Sequence, residues 1–119
     1  MADTIAVLME ANLLGVFNER DDERRAEMIP KTYAPEVTWA DDEGVTTGHD
    51  ELQDKAKNLL ARVPGLEFSK AGPVLQTHGL GYLAWNLGPR HGDPVVTGFD
   101  VAIVEHNMIS QLYTVVIKE

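Results

Sequence analysis

The sequence predicts an α+β protein in which three helices come first and a run of antiparallel strands follows. Up to Pro64-Gly65, apolar residues recur at three- and four-residue spacing, which is typical of amphipathic helices. From Leu66 onward, β-branched and aromatic residues come in short runs between glycines and polar turns, which favours strands. We expect a curved sheet wrapped around the helices. The length of 119 residues suits one domain covering residues 1–119.

The first predicted helix begins at Asp3 or Thr4, because either side chain can accept a hydrogen bond from the free amides of the first turn. It ends near residues 18–19. Its apolar stripe consists of Ile5, Leu8, Met9, Leu13, Val16 and Phe17.

Two further helices are predicted between residues 21 and 63. Asp21-Asp22 can cap the second helix, and Pro30 should kink or shorten it. Its basic residues are expected to face solvent, namely Arg24, Arg25 and Lys31. Asp50 can cap the third helix, and Pro64-Gly65 stops it.

Strands are predicted on both sides of the third helix. Residues 37–41 form a short strand, followed by a turn at Asp42-Glu43-Gly44. The later strands are predicted at 66–71, 73–78, 81–88, 94–104 and 108–118, with a tight hairpin at Glu105-His106-Asn107.

Both faces of the strand at 94–104 are largely apolar. One face must meet the helices, and we expect the other to meet a second subunit, giving a homodimer through the sheet.

Composition and charge exclude several kinds of partner. The formal net charge is −9, which disfavours nucleic acid because binding it requires clustered Lys and Arg. No apolar run approaches the length of a membrane span and no secretory signal is evident, so we expect a cytoplasmic protein without a membrane partner. The absence of cysteine, of paired histidines at ligand spacing and of a phosphate-binding loop predicts no metal and no cofactor.

Asp100 stands in the middle of the most apolar predicted strand. A buried carboxylate is costly unless it is paired, hydrogen-bonded or neutralised. One interpretation is a neutral acid that lines a pocket. The other is a structural carboxylate that accepts hydrogen bonds from the backbone, from Trp85 or from Tyr33.

Five segments occur in a characteristic order over nearly the whole chain: Tyr33-Ala34-Pro35-Glu36-Val37-Thr38-Trp39, Gly48-His49-Asp50-Glu51-Leu52, Ala84-Trp85-Asn86-Leu87-Gly88-Pro89, Gly98-Phe99-Asp100-Val101-Ala102 and Met108-Ile109-Ser110-Gln111-Leu112-Tyr113. In order and spacing they resemble the SnoaL-like branch of the nuclear transport factor 2 superfamily. The resemblance implies a cone-shaped half-barrel (a cystatin-like roll) closed by three N-terminal helices, with one apolar pocket and a common tendency to dimerise. That group includes isomerases, polyketide cyclases, dehydratases, epoxide hydrolases and non-catalytic modules, so the fold does not fix function.

The resemblance also suggests roles for two aspartates. Asp41 falls where ketosteroid isomerases keep their general base, and Asp100 falls on the protonated acid of their oxyanion hole. The base would take a proton next to a carbonyl, and the acid would stabilise the enolate oxygen. Leu13 stands where those isomerases place a tyrosine, which argues against a strict steroid isomerase. SnoaL-like cyclases use an aspartate as acid or base, often near a histidine, and His78 is the candidate.

Two functions therefore remain open. The first is a cofactor-independent isomerase, cyclase or dehydratase for a small apolar carbonyl compound, with Asp41 and Asp100 as catalytic residues. The second is a non-catalytic dimeric ligand-binding or interaction module, in which Asp41 is a solvated turn residue. The candidate ligand-binding residues are Phe17, Tyr33, Trp39, His78, Trp85 and Leu112. An open cavity that both carboxyls reach favours the enzyme, whereas a cavity filled by Trp39 and Trp85 favours the module.

Overall fold

The computed structural model describes residues 4–117, which fold into three helices and a seven-stranded sheet. The helices are α1 (Thr4–Glu10), which continues as a π-helical segment (Ala11–Val16), α2 (Asp22–Thr32) and α3 (Gly48–Ala61). The strands are β1 (Tyr33–Asp41), β2 (Gly44–Thr47), β3 (Glu67–Lys70), β4 (Leu75–Thr77), β5 (Leu80–Gly88), β6 (Val96–Glu105) and β7 (Met108–Ile117).

The sheet is curved and does not close into a barrel. Its strand order is β2-β1-β7-β6-β5-β3, and β4 pairs with β5 beside this path. All of these pairs are antiparallel except β1 with β7, which is parallel. The predicted α+β half-barrel is confirmed, but the sheet is mixed rather than wholly antiparallel. A parallel pair is possible here because the long connection from β1 to β7 includes α3.

Most strand predictions are accurate within two residues up to the last described position. The hairpin between β6 and β7 is tighter than predicted, because Glu105 still belongs to β6. His106 and Asn107 make the turn with φ values of 52° and 63°, as a two-residue hairpin of the primed type requires. The prediction missed β2, whose four residues directly follow an acidic turn. It also began β1 too late, since that strand starts at Tyr33.

The helix predictions are correct in number but partly wrong at the ends. The first helix loses regular α-geometry after Glu10 and ends at Val16. Asp3 lies outside the described residues. Asp21 caps α2 by accepting a hydrogen bond from the Arg24 amide at 3.0 Å.

Two polar side chains of these helices lie where the sequence did not predict them. Asp50 does not cap α3, because that helix already begins at Gly48. Arg25 was expected in solvent, but it is buried with 1% of its surface exposed. Its Nε donates to the carbonyl oxygen of Glu19 at 2.9 Å and its Nη1 to Gln53 at 3.2 Å. A long charged side chain can thus be buried where acceptors such as these surround its guanidinium group.

The inner face of the sheet and the helices share one buried core. Its largest members are aromatic or aliphatic side chains, including Phe17, Trp39, Leu83, Trp85 and Leu112. The π-helical segment directs Asn12 and Leu13 toward this core, where neither is more than 1% exposed. Single π-turns of this kind are common at functional sites. Within residues 4–117, none of the helices has the length and apolar character needed to span a bilayer.

Candidate functional site

A cavity of about 310 Å³ lies between the inner face of the sheet and the helices. Most of its wall is apolar, from Leu13, Phe17, Trp39, Leu59, Val63, Phe68, Trp85, Leu87, Val96 and Val116. Its polar lining comprises Asp41, Asp42, Glu43, Arg62, Asp100 and Thr114. The exposed side chains of Asp42, Glu43 and Arg62 mark the mouth. The cavity is therefore open, and it is walled rather than filled by the two tryptophans.

The aromatic wall is a continuous series of edge-to-face contacts. The rings of Phe17 and Trp39 are 4.8 Å apart between centroids, and those of Phe68 and Trp85 are 5.2 Å apart. Phe17 and Phe68 connect the two pairs at 6.3 Å. This geometry is favourable for aromatic side chains, and it fixes the shape of the cavity.

Asp100 lies in this wall with 3% of its surface exposed. Its Oδ1 accepts hydrogen bonds from Trp85 Nε1 at 3.1 Å and from Thr114 Oγ1 at 3.0 Å. Its Oδ2 accepts one from Asn12 Nδ2 at 2.9 Å. All three partners are neutral donors, and no cationic side chain among residues 4–117 forms an ion pair with this carboxyl.

Burial raises the pKa of Asp100 to about 6, because desolvation penalises the charged form. The hydrogen bonds from Thr114, Trp85 and Asn12 act in the opposite direction, since they stabilise the carboxylate. Desolvation outweighs them, as the direction of the shift shows. Asp100 therefore titrates closer to neutral pH than an ordinary aspartate.

A second layer of polar side chains supports these donors. The Tyr33 hydroxyl donates to Asn12 Oδ1, and Trp39 Nε1 donates to Thr114 Oγ1 at 3.0 Å. Burial, and then the nearby charge of Asp100, raise the pKa of the Tyr33 hydroxyl well above its usual value. The sequence suggested Tyr33 as a direct partner of Asp100, but Asn12 stands between the two. Asn12 and Thr114 were not predicted.

Asp41 occupies another part of the cavity wall, and its side chain is 7% exposed. Its Oδ1 accepts hydrogen bonds from Lys55 Nζ at 2.6 Å and from the backbone amides of Glu43 at 2.9 Å and Gly44 at 3.2 Å. Its Oδ2 accepts none from the described residues. Lys55 Nζ also lies 4.7 Å from the centre of a Trp39 ring. Asp41 is thus a paired carboxylate that ends β1, with one oxygen still available.

The mouth of the cavity carries an exposed ion pair. Arg62 Nη1 and Nη2 donate to the two carboxylate oxygens of Glu43 at 3.0 and 3.2 Å. This fork lowers the pKa of Glu43 and raises that of Arg62. It connects the β1–β2 turn to the end of α3 across the opening.

The structure brings together five of the eight predicted site residues, namely Phe17, Trp39, Asp41, Trp85 and Asp100. The other three do not line the cavity. Tyr33 lies behind Asn12, and Leu112 is fully buried under the helices. His78 is exposed in the turn before β5, with a φ of 41°. Within residues 4–117, no group of three or more His, Asp or Glu side chains is arranged to hold a metal ion.

Comparisons with known proteins establish the fold. No family model and no curated protein matches the sequence. A SnoaL-like protein from Agrobacterium tumefaciens, provisionally named an isomerase, has a TM-score of 0.89 at 21% identity, covering 97% of this chain and 98% of its own. A SnoaL-like protein from Jannaschia, provisionally named a polyketide cyclase, has a TM-score of 0.73 at 14% identity, covering 98% and 90%.

A protein from Kribbella flavida, provisionally named a ketosteroid isomerase, has a TM-score of 0.70 at 15% identity and covers 98% of this chain and 79% of its own. A de novo designed protein with a curved β-sheet reaches the same TM-score at 14% identity, covering 98% and 88%. At such identities the likeness concerns the fold alone. The resemblance predicted from the five sequence segments is confirmed at that level, and the chemistry must be argued from the cavity.

Proposed function

We propose that this chain, which has the fold of SnoaL-like and NTF2-like proteins, is a cofactor-independent enzyme that moves a proton on a small, largely apolar carbonyl compound. One observation carries the proposal. A buried carboxylate without a cationic partner lies in the wall of an open apolar cavity. General acid–base catalysis is most efficient when the pKa of the group is near the working pH, and a pKa of about 6 meets that condition.

The same pKa favours Asp100 as a base rather than as a permanently neutral acid. A group with a pKa of about 6 is mostly ionised at pH 7. In the proposed reaction, Asp100 accepts a proton from the carbon next to the carbonyl. It then returns the proton to another carbon in an isomerisation. In a cyclisation the enolate carbon instead attacks a second carbonyl carbon, whose π pair becomes an alkoxide that takes the proton back from Asp100. Asp41, with its available oxygen at the cavity wall, remains the second candidate acid–base group.

The size of the cavity supports a small substrate. Ligand pockets commonly measure about 300 to 1,000 Å³, and the value of about 310 Å³ lies at the lower end. A compound with one or two rings fits such a volume better than a steroid.

We expect Asp100→Asn to slow proton exchange on enolisable cyclic ketones by about 10²- to 10⁴-fold, the usual contribution of a positioned base. The measurement is deuterium uptake from D₂O, followed by NMR. Asp93→Asn removes an exposed loop carboxylate and is the matched control, which should exchange at the parent rate. Equal rates in the parent and in a folded Asp100→Asn variant would contradict the proposal.

A non-catalytic ligand-binding module is the second candidate. Each neutral side-chain donor of the described lining already donates a hydrogen bond: Trp39 to Thr114, and Trp85 and Thr114 to Asp100. The remaining side-chain donor in the described lining is Arg62 at the mouth, which is paired with Glu43. If ligands quench tryptophan fluorescence without any deuterium uptake, the module explains the site better.

We also propose that a second copy of the chain packs on the outer face of the sheet. The register of β5, β6 and β7 places twelve residues on this face: Leu80, Tyr82, Ala84, Asn86, Thr97, Phe99, Val101, Ile103, Gln111, Tyr113, Val115 and Ile117. None of them is charged. On a chain with net charge −9, two copies repel each other least where they meet through a face without charge.

Sedimentation at micromolar concentration should therefore show a dimer. Val101 faces both Tyr82 and Tyr113 across the strands, so Val101→Lys should yield monomers that keep the parent fluorescence. A parent protein that sediments as a monomer would contradict this proposal.

A further inference from the structure

The cavity wall has an excess of negative charge. Four carboxyl side chains line it, from Asp41, Asp42, Glu43 and Asp100, against the single cation of Arg62 in the described lining. Arg62 is already bound to Glu43, and Lys55 is bound to Asp41. Asp100 is left as the buried charge without a counter-ion. An isolated buried carboxylate is costly. A positively charged ligand would therefore be attracted to this cavity, and an anion would be repelled.

The apolar part of the wall is also suited to a cation. Four aromatic side chains surround the cavity: Phe17, Trp39, Phe68 and Trp85. Aromatic faces attract ammonium groups, and cages of such rings bind alkylated amines. The protein already uses this interaction on the far side of the wall, where Lys55 Nζ lies 4.7 Å from the centre of a Trp39 ring.

The hydrogen-bonding capacity of Asp100 also favours a cationic ligand. A carboxylate can accept about four hydrogen bonds, and Asp100 accepts three from the described residues. A donor from a ligand can therefore still be accommodated, whereas the wall offers an enolate oxygen no free neutral side-chain donor. The site is better prepared to receive a proton donor than to stabilise an anion.

We infer that the ligand of this cavity carries a positively charged nitrogen, which pairs with Asp100 among the four aromatic side chains. The inference rests on the proposed proton-transfer function and names its substrate class: the iminium form of a carbonyl compound, whose charge a protonated amine of similar shape mimics without reacting. With an iminium, Asp100 takes a proton from the adjacent carbon. The C–H electron pair becomes a C=C bond, and the π pair of C=N⁺ becomes the lone pair of nitrogen. A neutral enamine and a neutral acid result, so no oxyanion has to be stabilised.

The preference for a cation depends on the ionisation of Asp100. The other titratable groups around it are Tyr33 on β1, which reaches it through Asn12, and the groups that line the same cavity, namely Asp41, Asp42, Glu43 and Arg62. Thr114 on β7 and Trp85 on β5 contribute no charge. The pKa of Tyr33 is raised by burial and that of Glu43 is lowered by Arg62, so neither changes its charge between pH 5 and 8.

The experiment uses three ligands of similar size: phenethylamine, 2-phenylethanol and phenylacetate. Both tryptophans of the chain lie in the cavity wall, so their fluorescence reports binding directly. At pH 8 we expect the amine to bind about tenfold more tightly than the alcohol, and the carboxylate most weakly. The preference for the amine should fall as the pH is lowered through about 6, the pKa of Asp100.

Asp100→Asn should bind the alcohol as the parent does but lose the preference for the amine. Asp93→Asn, which removes an exposed loop carboxylate outside the cavity lining, should retain that preference. Equal or weaker binding of the amine relative to the alcohol at pH 8 would overturn the inference, as would a preference that survives in Asp100→Asn. Deuterium uptake by ketones without any preference for the amine would contradict this inference and leave the proposed proton-transfer function intact. A preference for the amine without proton exchange on any substrate would remove the enzymatic proposal alone.

Discussion

Asp100→Asn is expected to raise the free energy of unfolding at pH 8 by roughly 2 kcal/mol. A pKa raised from 3.8 to about 6 corresponds to about 3 kcal/mol of destabilisation once the group is ionised. The amide removes this charge and keeps one oxygen for Trp85 and Thr114. Its new NH₂ group faces the donor of Asn12, so the Asn12 amide must turn, at a cost of about 1 kcal/mol.

The direction in which stability changes with pH follows from the number of protons that the folded and unfolded states bind. Between about pH 4 and pH 6 the folded protein holds more protons at Asp100 than the unfolded chain does, so rising pH removes stability from the folded state. Above pH 6 the loss is complete. Urea denaturation should therefore show a difference between Asp100→Asn and the parent that is large at pH 8 and shrinks toward pH 4.

Asp93→Asn again serves as the control, because it removes one exposed carboxylate and should change stability little at any pH. A variant Asp100→Asn that is less stable than the parent by the same amount at every pH would contradict the prediction. That result would identify Asp100 as an ordinary hydrogen-bonded structural carboxylate. The expected result instead means that the chain tolerates a destabilising charge in its core, as proteins do where the charge has a use.

The sequence identified Asp100 because it is the one charged residue in the apolar run of residues 95–104, and such a run is a local feature of the sequence. Since both faces of that strand are largely apolar, the carboxylate was expected to be buried whichever face it occupied. Trp39, Asp41 and Trp85, which the sequence analysis also proposed as site residues, line the cavity as well. Leu112 was proposed with them, but it pairs with Ala102 and is fully buried outside the cavity lining.

The partners of Asp100 could not be predicted in the same way. Thr114 faces Asp100 only through the register between β6 and β7, which the sequence of either strand alone does not specify. Asn12 reaches Asp100 from the π-helical segment, and a regular α-helix would have turned it differently. His78 was proposed only because SnoaL-like cyclases often have a histidine near their aspartate. It lies in a turn with a positive φ, where its side chain is exposed to solvent.

Gly98→Ala is expected to destabilise the protein by about 3 kcal/mol and to disturb the site at the same time. Gly98 pairs with Trp85 across the β5–β6 ladder. A Cβ at this position would lie 2.5 Å from Trp85 Cζ2 and 2.4 Å from the carbonyl oxygen of Val115. Neither atom can give way cheaply, since one belongs to a packed ring and the other to backbone.

Relief of this clash requires the indole to move, which would stretch or break its 3.1 Å hydrogen bond to Asp100. That bond lowers the pKa of Asp100, so its loss should raise the pKa further, and an NMR titration of the carboxyl would detect the change. Gly72→Ala is the matched control. No atom lies within 4 Å of a Cβ placed there, and the substitution should be neutral or slightly stabilising.

A Gly98→Ala variant that is as stable as Gly72→Ala and leaves the pKa of Asp100 unchanged would contradict the prediction. It would mean that the position of the Trp85 indole does not require glycine at position 98. The expected pair of effects would mean that one missing side chain on β6 makes room for the Trp85 ring. The same ring bounds the cavity and donates to the acid. Core packing and the titration of Asp100 would then be set by the same contact, so that neither could change without the other.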